Sequence, residues 1–260
     1  MKPGAVVESI SLYPLQGIPL ICSGDDLSTI IIESVHSNKF QWSDSDILVI
    51  AQKIVSKSEG RLVNLKQIQP SKHSIELASK TEKDPRLVEL ILSESKKVIR
   101  FKKGLIVVQN HQGVILANAG IDHSNVEQDD ENEQVLLLPK NPDVSAEKIH
   151  KNLFARTGFH LGVIINDSIG RAWRNGTIGT AIGVAGLPAI LDLKGRDDLF
   201  GNPLQVSEQA IADELASAAS LIQGQADEAF PVVLIKGFKT LLDNIPASGL
   251  IRDIKKDLFL

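Results

Sequence analysis

Two short runs place side chains suited to cation chemistry directly after apolar, strand-like segments. In the first, Val114-Ile115-Leu116-Ala117 leads into Asn118-Ala119-Gly120-Ile121-Asp122-His123-Ser124-Asn125. In the second, Val163-Ile164-Ile165 leads through Asn166 into Asp167-Ser168-Ile169-Gly170-Arg171. Carboxylates beside hydroxyl and amide oxygens form a hard donor set. Such a set suits Mg²⁺ or Mn²⁺ holding phosphates rather than zinc or copper. The plainer alternative is that each aspartate caps a turn or a helix. Arg171 and Arg174 offer planar cationic forks for phosphate or carboxylate. Trp173 lies between them and either packs on a ring of a substrate or packs in the core. The segment Gln52 to Arg61 adds Lys53, Lys57 and Arg61. Lys57 suits a nucleotide phosphate as a point charge, or sits on a solvated helix start.

The motifs that are missing narrow the chemistry. There is no Gly-x-x-x-x-Gly-Lys-Ser/Thr phosphate loop and no Gly-x-Ser-x-Gly serine nucleophile. The six histidines form no His-Glu-x-x-His pair, and His123 reads as a hydrogen-bonded or solvated residue before a ligand. Gly176, Gly179, Gly183 and Gly186 do not fit a dinucleotide fingerprint. They let the backbone approach a ligand or another element closely. No side chain is marked as a covalent nucleophile.

These residues need a scaffold, and the patterning supplies one. Asp46 to Ala51, Leu105 to Val108, Val114 to Ala117, Leu161 to Ile165 and Pro231 to Ile235 read as strands. Asn110-His111-Gln112-Gly113 reads as a hairpin turn. Asp84-Pro85 opens a helix over Arg86 to Ser93. Ser145 is expected to cap a helix through Phe154. Ser207 is expected to cap a long helix with Ile211, Leu215, Ala218 and Ile222 on one stripe and Gly224 as its stop. The acidic run Val126 to Gln134 reads as a solvated loop. Strands and helices mix without a regular βαβ rhythm, which favours an α+β fold.

Size and charge set the outer bounds. The chain has 260 residues, 43% of them hydrophobic, with 23% charged and a net charge of −4. That suffices for one domain over residues 1–260, or for two intimate lobes. No basic excess suggests nucleic acid as a partner. Cys22 is the only cysteine, so no internal disulfide forms and a thiolate-rich zinc site is excluded. The weakly apolar run from Gly179 to Leu191 is shorter than the ~18 residues of a membrane span. No membrane partner and a cytoplasmic location are therefore expected.

Taken in order, the motifs resemble the coenzyme F420-0:L-glutamate ligase family, also called F420 gamma-glutamyl ligase. The resemblance covers about 12–237. It rests on Leu15 to Ile21, Ala51 to Arg61, Asn118 to Val126, Asp167 to Gly176, Gly179 to Gly183, Asp197 to Gly201 and Pro231 to Gly237. It implies a mixed-sheet, two-lobed α+β subunit and an intertwined homodimer. It also implies a GTP-dependent ligase joining the lactyl carboxylate of coenzyme F420-0 to the amino group of L-glutamate through an acyl phosphate. Further γ-linked glutamates are added by some members.

Asp122 and Asp167 would hold one divalent ion, with Ser168 and Gln225 serving a second. That makes two Mg²⁺ or Mn²⁺ per subunit, with K⁺ assisting some members. Nucleotide contacts would fall at Ile18, Pro19, Leu20, Ile21, Gln52, Lys53, Lys57 and Asn125. They would continue along Gln223, Gly224, Gln225, Ala226, Asp227, Glu228, Ala229 and Phe230. Arg171, Trp173 and Arg174 remain candidates for the organic substrate. Three rivals stay open: the same fold acting on another carboxylate and amine, a non-catalytic nucleotide-binding relative, and a nucleotide hydrolase.

Overall fold

The computed structural model describes residues 9–123, 133–238 and 244–257. In chain order, β1 (Ser11–Pro14) and α1 (Leu27–Ser37) precede β2 (Ile47–Ala51) and α2 (Gln52–Ser58). A middle section follows: β3 (Leu62–Asn64), α3 (Lys72–Thr81), α4 (Pro85–Ser93), β4 (Ser95–Lys102), β5 (Leu105–Asn110), β6 (Ile115–Ala117) and β7 (Gln134–Leu136). Next, α5 (Pro142–Thr157) leads into the long hairpin of β8 (Gly162–Arg171) and β9 (Arg174–Ala185). The short strands β10 (Leu191–Asp192) and β11 (Glu208–Gln209) precede α6 (Ile211–Gln223) and β12 (Val232–Lys236).

The main sheet has the order β1-β12-β2-β8-β9. Strands β2 and β8 run parallel, from Ile47 opposite Gly162 to Ala51 opposite Asn166. The other pairings are antiparallel. The unbroken apolar runs of β2, β8 and β12 explain their central places, because both faces of the sheet are covered. On one face Leu48, Ile50, Val163 and Ile165 pack with Ile31 and Val35 of α1 and with Ile149 and Leu153 of α5. On the other, Val49, Ile164 and Val233 meet Ile211, Leu215, Ala216 and Ala219 of α6. The middle section has its own antiparallel sheet, β4-β5-β6, packed against α3 and α4. The result is the expected α+β fold with mixed sheets. Among the described residues no helix is long and apolar enough to cross a membrane.

Local signals account for most of the boundaries. Asp84 accepts a hydrogen bond from Arg86 N at 2.8 Å, with Pro85 opening α4. The hairpin across Asn110 to Gly113 forms as read, joining β5 to β6. Other boundaries differ from the sequence reading. The cap of α5 is Asn141, which accepts from Val144 N, so Ser145 lies inside the helix. There its hydroxyl donates to the Glu59 carboxylate. Helix α6 starts only at Ile211, after Ala210, so Ser207 is not its cap. Its buried stripe runs through Ile211, Ala212, Leu215, Ala216 and Ala219 rather than Ala218, while Gly224 does end it. The expected acidic loop lies mostly outside the described residues; Glu133 pairs with Arg86 at 2.8 Å.

Strand β8 runs six residues past Ile165, so Asp167 and Ser168 lie inside a strand and not beyond it. Its partner there is glycine- and threonine-rich β9, with Asp167 opposite Thr180 and Ser168 opposite Gly179. The far half of this hairpin lies mostly outside the core and so lacks the apolar run that marks the near half. Two of its glycines serve packing. A Cβ on Gly179 would sit 2.3 Å from the Ala216 carbonyl oxygen of α6, and one on Gly183 would sit 2.3 Å from that of Pro142.

Candidate active site

The parallel pair β2 and β8 ends on one side of the main sheet. Ligands in open mixed sheets commonly gather beyond such carboxyl-terminal ends. After Ala51 the chain turns into α2, bringing Gln52, Lys53 and Lys57 to this edge. Alternation along β8 sends Ile165, Asp167 and Ile169 toward one face and Asn166 and Ser168 toward the other. Accordingly Ile165 and Ile169 join the core that includes α1 and α5, whereas Asn166 and Ser168 bond to residues at the end of α6. The segment after α6 crosses the same edge before β12 begins.

These pieces enclose a cleft of about 680 Å³. Ile18, Pro19, Leu20, Ile21, Gln52, Lys53, Lys57, Asp122, Asp167 and Ser168 all line it. So do Gln223, Gly224, Gln225, Ala226, Asp227, Ala229 and Phe230. Glu228 does not; its carboxylate turns back to accept from Ala226 N at 2.9 Å. Asn125 lies outside the described residues. Arg171, Trp173 and Arg174 lie at the exposed tip of the β8–β9 hairpin, outside this lining. Trp173 is 81% exposed, so it is not a core residue. Arg61 also lies outside the lining; it pairs with Glu94 at 2.8 Å and donates to Leu138 O. His123 is exposed and does not line the cleft.

The two acids arrive from different sheets. Asp167 comes from β8. Asp122 is held by paired backbone bonds with Leu136 of β7, at 3.0 and 2.9 Å. Lys53 pairs with Asp122 at 2.8 Å. Burial pushes the Asp167 carboxyl up to about 6; Ser168 N–H and Lys53 oppose the rise, and the negative charge of Asp122 adds to it. The two carboxylates therefore stand close enough to repel. Desolvation, with the neighbouring Lys53 charge, lowers the pKa of Lys57. Gln225 Nε2 donates to Ser168 Oγ at 2.9 Å, so the two residues read as a second donor set are already in contact.

A hard divalent cation fits this arrangement. Two carboxylates, a hydroxyl and an amide leave coordination positions to be filled by phosphate oxygens and water, as magnesium prefers. A cation held here would favour the ionised form of Asp167 against the burial and the Asp122 charge that raise its pKa. Among the described residues no group of three or more His, Cys, Asp or Glu forms a cage that would hold a metal without such help.

Residues 17–237 match the family model described as F420-0:Gamma-glutamyl ligase. This chain belongs to that family. Every lining residue of the cleft, from Ile18 to Pro231, falls inside the matched F420-0:gamma-glutamyl ligase stretch. The chain is 47% identical over 229 residues to the coenzyme F420:L-glutamate ligase of Methanothermobacter thermautotrophicus, covering 88% of this chain and 89% of the relative. It is 47% identical over 221 residues to the protein of the same name from Methanocaldococcus jannaschii, covering 85% and 87%. The Archaeoglobus fulgidus ligase of that name is 36% identical over 245 residues, covering 94% and 92%.

Sequence reasoning missed some members of this gamma-glutamyl ligase cleft: Ala51, Ile54, Asn166, Thr177 and Pro231. Asn166 had a readable signal, being a polar residue between a buried apolar run and Asp167. Thr177 had none, since only pairing with β8 brings it to the edge.

Proposed function

We propose that this chain is a GTP-dependent ligase that joins the lactyl carboxylate of coenzyme F420-0 to the amino group of L-glutamate. The observation that carries this reading is the convergence of Asp122, Asp167, Lys53 and Lys57 in one cleft of a chain belonging to this family. In the proposed reaction a carboxylate oxygen attacks the γ-phosphorus of GTP, forming an acyl phosphate and releasing GDP. The amine of glutamate then attacks the acyl carbon, phosphate leaves and the amine gives up a proton. Atoms balance without a covalent protein intermediate.

Each residue has a defined part. Asp122 and Asp167 would hold one Mg²⁺ or Mn²⁺, and Ser168 with the amide oxygen of Gln225 a second. When bound, such ions neutralise charge on the phosphoryl oxygens. Lys57, already partly desolvated, would pair with phosphate as a point charge. Gln52 and the residues of 18–21 and 223–230 would wall the nucleotide and keep water from the acyl phosphate. Holding acyl phosphate and amine side by side can supply roughly 7–11 kcal/mol of the barrier. K⁺ as an adjunct and addition of further glutamates belong to the same proposal, as does assembly into a homodimer.

The test is one assay. Purified protein is given GTP, Mg²⁺ or Mn²⁺, coenzyme F420-0 and L-glutamate, and products are read by mass. The expected result is the mono-glutamyl adduct with equimolar GDP and phosphate, and none of the three when either acceptor is withheld. Phosphate release without acceptors would instead identify a hydrolase. Turnover with a different acid or amine alone would reassign the substrate.

A further inference from the structure

Strand β8 carries two side-chain rungs on its α6 face, two residues apart. Asn166 Nδ2 donates to Gln223 Oε1 at 2.6 Å, and Ser168 Oγ accepts from Gln225 Nε2 at 2.9 Å. The spacing matches because residues i and i+2 of a strand share a face. The first rung is anchored more deeply. Gln223 Nε2 also donates to Val49 O at 3.1 Å and to Pro231 O at 3.3 Å. One side chain thus ties together β2, β8, the end of α6 and the residue before β12.

This anchorage decides which way both amides face. Two carbonyl oxygens take the Gln223 amino group, so its oxygen must face Asn166. Asn166 must then present its own amino group to Gln223. Its Oδ1 is left buried with no hydrogen-bond partner, in a residue only 5% exposed. A buried acceptor without a donor is costly, and structures seldom retain one without a compensating constraint. Here the constraint is the orientation set by Gln223. Because that side chain already bonds Asn166, Val49 O and Pro231 O, it is committed within the protein.

We infer that Asn166 and Gln223 form a clamp that fixes residues 224–230 in register over the cleft. Asn166 is a positioning residue, acting on a bound nucleotide only through Gln223 and the segment it holds. Only the kinetic readout below rests on the proposed ligase activity.

The test is a double-mutant cycle of Asn166→Ala, Gln223→Met and the pair combined. Methionine keeps the length of Gln223 while removing its hydrogen bonds. The first readout needs no ligand: the rate at which a glutamate-specific protease cleaves after the exposed Glu228, mapped by mass. Asn166→Ala should raise this rate about tenfold, the equilibrium worth of one buried hydrogen bond, through local opening, and Gln223→Met, which removes three such bonds, should raise it further. The double variant should be no more labile than Gln223→Met alone. In the ligase assay the KM for GTP should rise about tenfold while kcat changes less than threefold. Should Asn166→Ala fail to fold, Asn166→Asp keeps the shape and removes the donated bond. Unchanged cleavage in the single variants, or effects that multiply in the double, would overturn the clamp. A wild-type protein inactive with GTP would instead overturn the ligase reading and leave the cleavage result to stand.

Discussion

Asp167 links the chemistry of the site to the stability of the protein. Burial pushes its carboxyl up from an ordinary 3.8 to about 6 in the folded chain. The folded state therefore binds this proton more tightly. Its contribution is complete below about pH 4 and is lost as pH rises through about 6. That rise in pKa corresponds to roughly 3 kcal/mol, or about 6–12 °C of melting temperature for a chain of this size. Melting curves in a chelator should show wild-type protein losing that much between pH 4 and 7, relative to Asp167→Asn. Parallel curves for the two proteins would refute this origin of the shift. A bound cation favours the ionised form, so Mn²⁺ affinity measured by calorimetry should tighten as pH rises through about 6. Turnover should fall at least a hundredfold in Asp122→Ala and in Asp167→Ala, the scale of losing a metal that stabilises transferring charge. Full activity in either variant would remove that carboxylate from the metal site.

At the scale of elements, the site depends on how closely β9 approaches α6. Ser217 Oγ donates to Gly179 O at 2.7 Å, and the missing Cβ of Gly179 leaves room for the Ala216 carbonyl. Gly179→Ala should cost about 2–4 kcal/mol in denaturant unfolding, because backbone atoms must move. Gly170→Ala, where a Cβ meets nothing within 4 Å, should change stability by less than about 0.5 kcal/mol. Equal effects would refute the packing role. This contact also marks the limit of what the chain discloses unfolded. Strands β2, β8 and β12 were legible as apolar runs, and α4 through its Asp84-Pro85 start. Both acids were legible as motifs, and the resemblance to a family pointed to most of the residues that line the cleft. The extension of β8 to Arg171 was not, since pairing with β9 sustains it where apolar burial is mostly lacking. The late start of α6 was hidden because Ser207 is the better cap by residue type, whereas Ala210 makes no side-chain cap and leaves no local signal. Asn166 was marked by its polar place beside Asp167, but its pairing with Gln223, 57 residues away, is a separation no local pattern encodes.

At the scale of the whole molecule, the surface carries apolar side chains that one copy leaves uncovered. Leu199 and Phe200 are 97% and 90% exposed, side by side on a turn. That turn is held firmly: Asp198 accepts from Phe200 N, Asn202 N and Asn202 Nδ2. Single exposed apolar residues are ordinary, but an ordered turn that presents two large ones together is where the proposed homodimer would bury apolar area. Leu20 in the cleft wall is 91% exposed and Trp173 at the hairpin tip 81%, adding apolar area elsewhere on the surface. A net charge of −4 on 260 residues offers little repulsion between copies. Light scattering should therefore give about twice the 28.2 kDa chain mass at micromolar protein. Leu199→Ser combined with Phe200→Ser should shift the mass toward one chain while circular dichroism stays unchanged, since neither side chain is buried within its own subunit. A single-chain mass for the unaltered protein across the micromolar range would exclude the homodimer. An unaltered dimer in the double variant would move its interface away from this turn.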